Sequence, residues 1–128
     1  RLRVFDNRDF NSPLASGSAR GGALAIVPCS MGTVGRLVAG TSETLLLRAA
    51  DVCLKERRPL IVVPRETPLA THHLENLATL SARGALVLPA MPGFYHRPQS
   101  PGELIDFIVQ RVCDHLGVEV DLTPRWGR

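Results

Sequence analysis

Arg65 and Glu66 stand in the stretch VPRETPL, directly after the apolar run PLIVV and between Pro64 and Pro68. An arginine at the end of a strand can bind a phosphate or a carbonyl bidentately, and an adjacent carboxylate can accept or deliver a proton. A rim salt bridge between the two prolines is the plainer alternative. CSMGT, Cys29 to Thr33, offers small residues and hydroxyls where a strand would pass into a helix. Free backbone N–H groups and the helix dipole favour an anion or a polar ring edge there, and an ordinary N-cap is the plainer reading. PAMPGFYHRP gathers Phe94, Tyr95, His96 and Arg97 in a proline-bounded loop. Aromatic bodies beside basic tips suit a site that holds and polarises an organic group, although such loops also serve as packing plugs. Arg48 and Lys55 are seven residues apart on one expected helix, and Asp51 stands four residues before Lys55, at pairing distance; a solvated charged face accounts for that spacing equally well. Arg111, near the edge of the last helix's apolar stripe, is ambiguous in the same way. His72 and His73 are neighbours on a helix and diverge in direction, so they indicate no metal site.

These segments need elements to carry them. Three apolar runs without polar alternation, Gly22 to Pro28, Pro59 to Pro64 and Gly84 to Ala90, read as strands covered on both faces. Helical patterns lie between and after them. The first, SETLLLRAADVCLKERR, has Ser42 as expected N-cap; PLATHHLENLATLSARG stops at Gly84, and SPGELIDFIVQRVCDHLG runs from Ser100 to Gly117. In the last, Ile105, Ile108, Val109, Val112 and Leu116 keep the spacing of a buried stripe. This β/α alternation predicts an α/β fold built on a mostly parallel sheet. In such a sheet the strand carboxyl ends point one way and ligands bind beyond them, which is where all three polar segments fall.

The 128 residues fit one domain, 1–128. No apolar run approaches the roughly 18 residues of a membrane span, and with no signal-like segment a cytoplasmic setting and no membrane partner are expected. Cys29, Cys53 and Cys113 are widely spaced in apolar surroundings and read as buried, reduced thiols; no Cys/His grouping has metal-ligand spacing. A net charge of +3 permits an anionic ligand, but without a basic run or many aromatic residues it gives no reason to expect nucleic acid as a partner.

Taken together, PLASGS, CSMGT, RAADVCLKERRPLIVVPRETPL, HLENLATLSARGALVLPAMPGFYHRP and the closing amphipathic helix resemble the UbiX-type flavin prenyltransferases in order and spacing, from about Phe5 to Leu116. The resemblance implies a three-layer α/β fold, a mostly parallel Rossmann- or flavodoxin-like sheet with helices on both faces, in a metal-independent enzyme that is usually a homo-oligomeric dodecamer. Its implied reaction joins a dimethylallyl group from dimethylallyl phosphate to reduced FMN, at N5 and then C6, and its product serves UbiD-type decarboxylases. Ser30, Met31, Gly32, Thr33 and Arg65 match positions that contact the flavin. Tyr95 and Arg111 match positions that hold dimethylallyl phosphate, and Lys55 and Glu66 match polar residues near the transferring group. Arg48, Ala15 and Ser16 match pocket-lining positions; Trp126 matches an aromatic on the C-terminal tail, and Phe10 stands where many members carry tryptophan. Breaking an allylic C–O bond leaves positive charge on carbon and negative charge on phosphate, a demand for cations at one end and π faces at the other. On that basis Lys55, Tyr95 and Glu66 are the expected catalytic residues, with Glu66 as the proton handler.

The family also has an upstream strand, with a Gly- and Ser-rich loop for the FMN phosphate, and a further unit bearing a flavin-contacting serine. Neither is in these residues, and the chain opens on RLRVF without methionine. It is therefore expected to be a processed or excised piece, the C-terminal two-thirds of the family domain, with the N-terminal strand units absent. Two other readings stand beside this one. One is an FMN-dependent cysteine decarboxylase relative, which would typically carry Asn after PAM where this chain has Pro92. The other is a non-catalytic flavin-binding or assembly subunit.

Overall fold

The computed structural model describes residues 2–127. Its chain divides into two compact units, the first ending at Leu88 and the second beginning at Pro89.

The first unit holds strands β1 (Leu24–Cys29), β2 (Leu60–Pro64) and β3 (Leu86–Val87), with helices α1 (Met31–Ala39), α2 (Leu45–Lys55) and α3 (Thr71–Ala82). The strands form one parallel sheet in the order β1-β2-β3. All five residues of β2 are buried. Because successive side chains point to opposite faces of a strand, β2 is covered on both sides. Leu60 and Val62 share a core with Ile26, Val34, Leu37, Leu47, Ala50 and Leu80, which joins the sheet to all three helices. Burying a leucine or valine side chain contributes about 1.5–3 kcal/mol, so this cluster outweighs any surface ion pair in fixing where the strands end.

Local chemistry explains the element boundaries. Ser30 caps α1 by accepting from the Thr33 N–H, and Gly40, at φ 74°, closes it in the left-handed region. At α2 the expected cap, Ser42, gives way to Thr44, whose hydroxyl accepts from Leu47 N–H. Asn7 completes that turn, its backbone carbonyl accepting from Leu45 N–H and its side chain from Leu46 N–H. A cap supplied from 39 residues upstream leaves no local trace in the sequence. α3 ends at Ala82, two residues before Gly84 with its φ of 103°. The third strand is shorter than Gly84 to Ala90: only Leu86 and Val87 pair, Leu88 N–H adds a bond to the Val62 carbonyl, and Pro89 has no N–H to continue the ladder.

The second unit contains α4 (Pro101–Leu116), capped by Ser100, which accepts from Glu103 N–H, and closed by Gly117 at φ 70°. Its expected stripe is only partly buried. Ile108 and Val112 are inside, whereas Ile105 is 62% exposed and Val109 37%. Spacing defines a face but not what covers all of it. Gln110, a polar residue off the stripe, is 3% exposed because the segment after α4 lies on it.

Candidate functional site

In the first unit the parallel register pairs Cys29 with Pro64. Ser30 and Arg65 therefore leave the sheet side by side, on strands about 4.8 Å apart. The first N–H groups of a helix have no intrahelical partner; Ser30 Oγ takes that of Thr33 at 3.1 Å, leaving those of Met31 and Gly32 for a ligand. Ser30 and Thr33 hydroxyls lie 3.0 Å apart. Met31 is 6% exposed and its side chain belongs to the core, so only its backbone is available to a ligand. Arg65 and Glu66 are exposed, and neither forms an ion pair among the described residues. The rim salt bridge is thus absent there; Glu66 Oε1 accepts instead from Thr67 N–H at 3.1 Å. Hydroxyls, free N–H groups and an unpaired guanidinium suit the carbonyl and ring-nitrogen edge of a flavin.

A second cluster joins α2 to the loop at residues 13–19. Arg48 Nε donates to the Ala15 carbonyl at 3.0 Å, and Arg58 donates to the carbonyls of Gly17 and Ala19 at 2.7 and 2.9 Å. Lys55 and Glu56 lie so close to Gly17 that a side chain there would collide with both. Asp51 does not pair with Lys55: it holds Arg48 at 3.0 Å, and Lys55 turns to Glu56 at 2.7 Å. Exchange of partners costs little at exposed i,i+3 and i,i+4 pairs, each worth only a few tenths of a kcal/mol. Phe10 is half-exposed, and Ser16 Oγ lies 2.8 Å from Ser18 Oγ. Glu56 and Arg58 were not among the expected site residues. Arg58 reaches across 41 residues to Gly17, for which the sequence carries no signal.

The second unit carries an open pocket of about 380 Å³ lined by Tyr95, Phe107, Gln110, Arg111, Asp114 and Trp126, among others. Tyr95, Arg111 and Trp126, separated by up to 31 positions, are thereby brought together. The Tyr95 ring meets the edges of Trp126 and Phe107 at centroid distances of 5.1 and 6.0 Å. His96 stacks on Phe107 at 5.7 Å, with both ring nitrogens buried and unpartnered. Asp114 accepts from Arg111 at 3.0 Å and from Arg125 at 2.8 Å, so two guanidiniums and one carboxylate leave one net positive charge on the wall. The cavity has cationic groups and π faces together, the combination that binds an organic anion. Asp114 was not among the expected site residues either, although its i,i+4 spacing from Gln110 on α4 was a usable signal.

Burial pushes the Cys29 thiol up to about 11 and raises that of Cys53, so both are poor nucleophiles. Cys113 is only partly buried, less enclosed than the sequence implied. Among the described residues no group of three or more His, Cys, Asp or Glu side chains has metal-binding geometry, and no helix is long and apolar enough to cross a membrane.

A parallel α/β sheet with polar segments at its strand ends defines a flavodoxin-like class of protein. Residues 2–113 match the Flavoprotein family model. The chain is 52% identical over 127 residues to the flavin prenyltransferase UbiX of Pseudomonas aeruginosa, covering 99% of this chain and 61% of the relative. To that of Alkalihalophilus pseudofirmus it is 52% identical over 126 residues, covering 98% and 63%. Among solved structures, AnUbiX in complex with FMN and dimethylallyl pyrophosphate superposes with a TM-score of 0.94 at 39% identity, over 98% of this chain and 66% of that one. A dodecameric FMN-dependent UbiX-like decarboxylase from Escherichia coli O157:H7 does so at 0.91 and 42%, over 95% and 66%. The chain belongs to the Flavoprotein family, in its UbiX-type flavin prenyltransferase branch. It spans somewhat over 60% of the length of the first two relatives.

The hydrogen bonds from Arg125 and then Gln110 hold the Asp114 carboxyl well down, to about 2. A carboxyl whose pKa is depressed in the folded state contributes fully above its unfolded value, near 4, and loses that contribution as pH falls through the folded one. The emission of Trp126, the chain's single tryptophan, should therefore stay constant from pH 7 to about 4 and change only as pH falls towards about 2. A transition centred near pH 6 would show that another group controls the tail.

Proposed function

We propose that the chain is the larger part of a flavin prenyltransferase that transfers a dimethylallyl group from dimethylallyl phosphate to reduced FMN, at N5 and then C6. Its product is a prenylated FMN destined for a UbiD-type decarboxylase. The proposal includes a cytoplasmic, metal-independent homo-oligomer, with residues 1–128 forming part of a single family domain. The observation that carries it is the cavity in which Arg111 stands with Tyr95 and Trp126, in a chain 52% identical to a flavin prenyltransferase over nearly its whole length.

Each residue then has a role set by charge. The N–H groups of Met31 and Gly32, the hydroxyls of Ser30 and Thr33, and Arg65 bind and orient the flavin's polar edge. Reduced FMN, when bound, supplies the nucleophilic ring positions. Lys55 and Arg111 hold the phosphate and take up the charge it gains as the allylic C–O bond breaks. Tyr95 also binds dimethylallyl phosphate, and with Trp126 it presents a π face to the positive charge left on carbon. Arg48, Ala15, Ser16 and Phe10 line the pocket. Glu66, without an ion pair among the described residues, moves a proton at flavin N5 or C6, or acidifies the leaving phosphate.

The direct test is the mass of the flavin recovered after anaerobic incubation with reduced FMN and dimethylallyl phosphate. It would be run on the chain alone and on the chain extended by the family's upstream segment. A gain of one five-carbon unit in either supports the proposal; no gain in both, with FMN bound, overturns it. In the active form Glu66→Gln should leave flavin binding nearly intact and slow single-turnover transfer by about tenfold or more, whereas an unchanged rate removes Glu66 from the mechanism.

A further inference from the structure

Trp126 faces a mechanical difficulty. It is 81% exposed, so burial contributes little to holding its ring against Tyr95. The chain leading to it has left α4 at Gly117 and contains no further helix or strand among the described residues. Something other than apolar packing must fix the tail.

The polar contacts supply it. Gln110 Nε2 donates to the Val120 carbonyl at 3.1 Å and to Asp114 Oδ1 at 2.9 Å, and Gln110 Oε1 accepts from Leu122 N–H at 2.9 Å. One buried amide thus satisfies the backbone on both sides of Asp121. Asp114 then takes Arg125, the residue before Trp126, through both carboxylate oxygens, at 2.8 and 3.3 Å. The same carboxylate accepts from Arg111 at 3.0 Å. Paired charge-assisted bonds of this kind fix direction as well as distance, which a single lysine contact would not.

We infer that Gln110 and Asp114 form a latch for the C-terminal segment, making Asp114 a positioning residue that sets both Arg111 and Trp126 for prenyl transfer. Its reaction rests on the flavin prenyltransferase reading; the latch itself does not. Asp114 touches neither the allyl group nor the flavin in this account. It acts by holding a cation and an aromatic ring at one cavity, so that the anionic and cationic ends of a breaking C–O bond meet preset partners.

Trp126 reports the latch without any substrate, because it is the chain's only tryptophan. Time-resolved anisotropy of its emission should follow overall tumbling in the parent protein. In Asp114→Ala and in Arg125→Ala it should gain a fast local component, with helix content unchanged. Arg125→Ala alters only the tail, so it keeps the test valid if Asp114→Ala fails to fold. In the catalytically active form, Asp114→Ala should raise KM for dimethylallyl phosphate and lower kcat, together about tenfold or more in kcat/KM, with flavin affinity unchanged. Arg125→Lys should recover part of both the anisotropy and the rate. Unchanged anisotropy in both alanine variants overturns the latch, and a freed ring with parental kinetics overturns its positioning role. A held ring in a parent protein that binds FMN but makes no prenylated flavin, with or without the family's upstream segment, would instead refute the prenyltransferase reading and leave the latch standing.

Discussion

The burial of β2 on both faces is the constraint from which the first unit follows. Its five buried residues anchor the parallel pairing with β1, and an irregularity in β1 between Ile26 and Cys29 sets Cys29, in place of Pro28, opposite Pro64. With Cys29 opposite Pro64, the residues that come next, Ser30 and Arg65, are delivered to the same edge. The chemistry at that edge is thus set by packing several residues away. It also explains why a pair as polar as Arg65 and Glu66 sits directly after an apolar run: the strand must end abruptly for them to reach solvent together.

The second unit solves a different problem by polar means. Its aromatic and cationic groups come from the loop at Tyr95, from α4 and from the tail, and no sheet aligns them. A buried glutamine and a carboxylate shared between two arginines do so instead. A buried amide left without partners would cost about 1–3 kcal/mol, so Gln110 is tolerated inside only because the tail completes its bonds. Core and tail are therefore mutually dependent.

Much of this was legible in the sequence. Continuous apolar runs without alternation identified β1 and β2, although β1, expected to be covered on both faces, leaves Val27 half-exposed, and Ser100 and Gly117 marked the ends of α4 through their local backbone preferences. Tyr95, Arg111 and Trp126 were named from resemblance, and the fold brings them to one cavity. What could not be read depended on distant chain. Asn7 caps α2 from another part of the sequence, Arg58 ties down Gly17, and Asp51 chooses Arg48 over Lys55 because both lie within reach on one helix face. The exposed side of α4 shows the same limit: helical spacing reveals an apolar face, while its cover depends on the rest of the fold.

In the proposed function the ends of β1 and β2 together form the flavin-binding edge. The most direct test is the change in backbone amide resonances as FMN is titrated into isotopically labelled protein carrying the family's upstream segment. The account predicts that the largest shifts fall on Met31, Gly32, Thr33, Arg65 and Glu66, with the interior of β2 unmoved. Saturable FMN binding with those amides unperturbed, and the shifts gathered elsewhere, would contradict it.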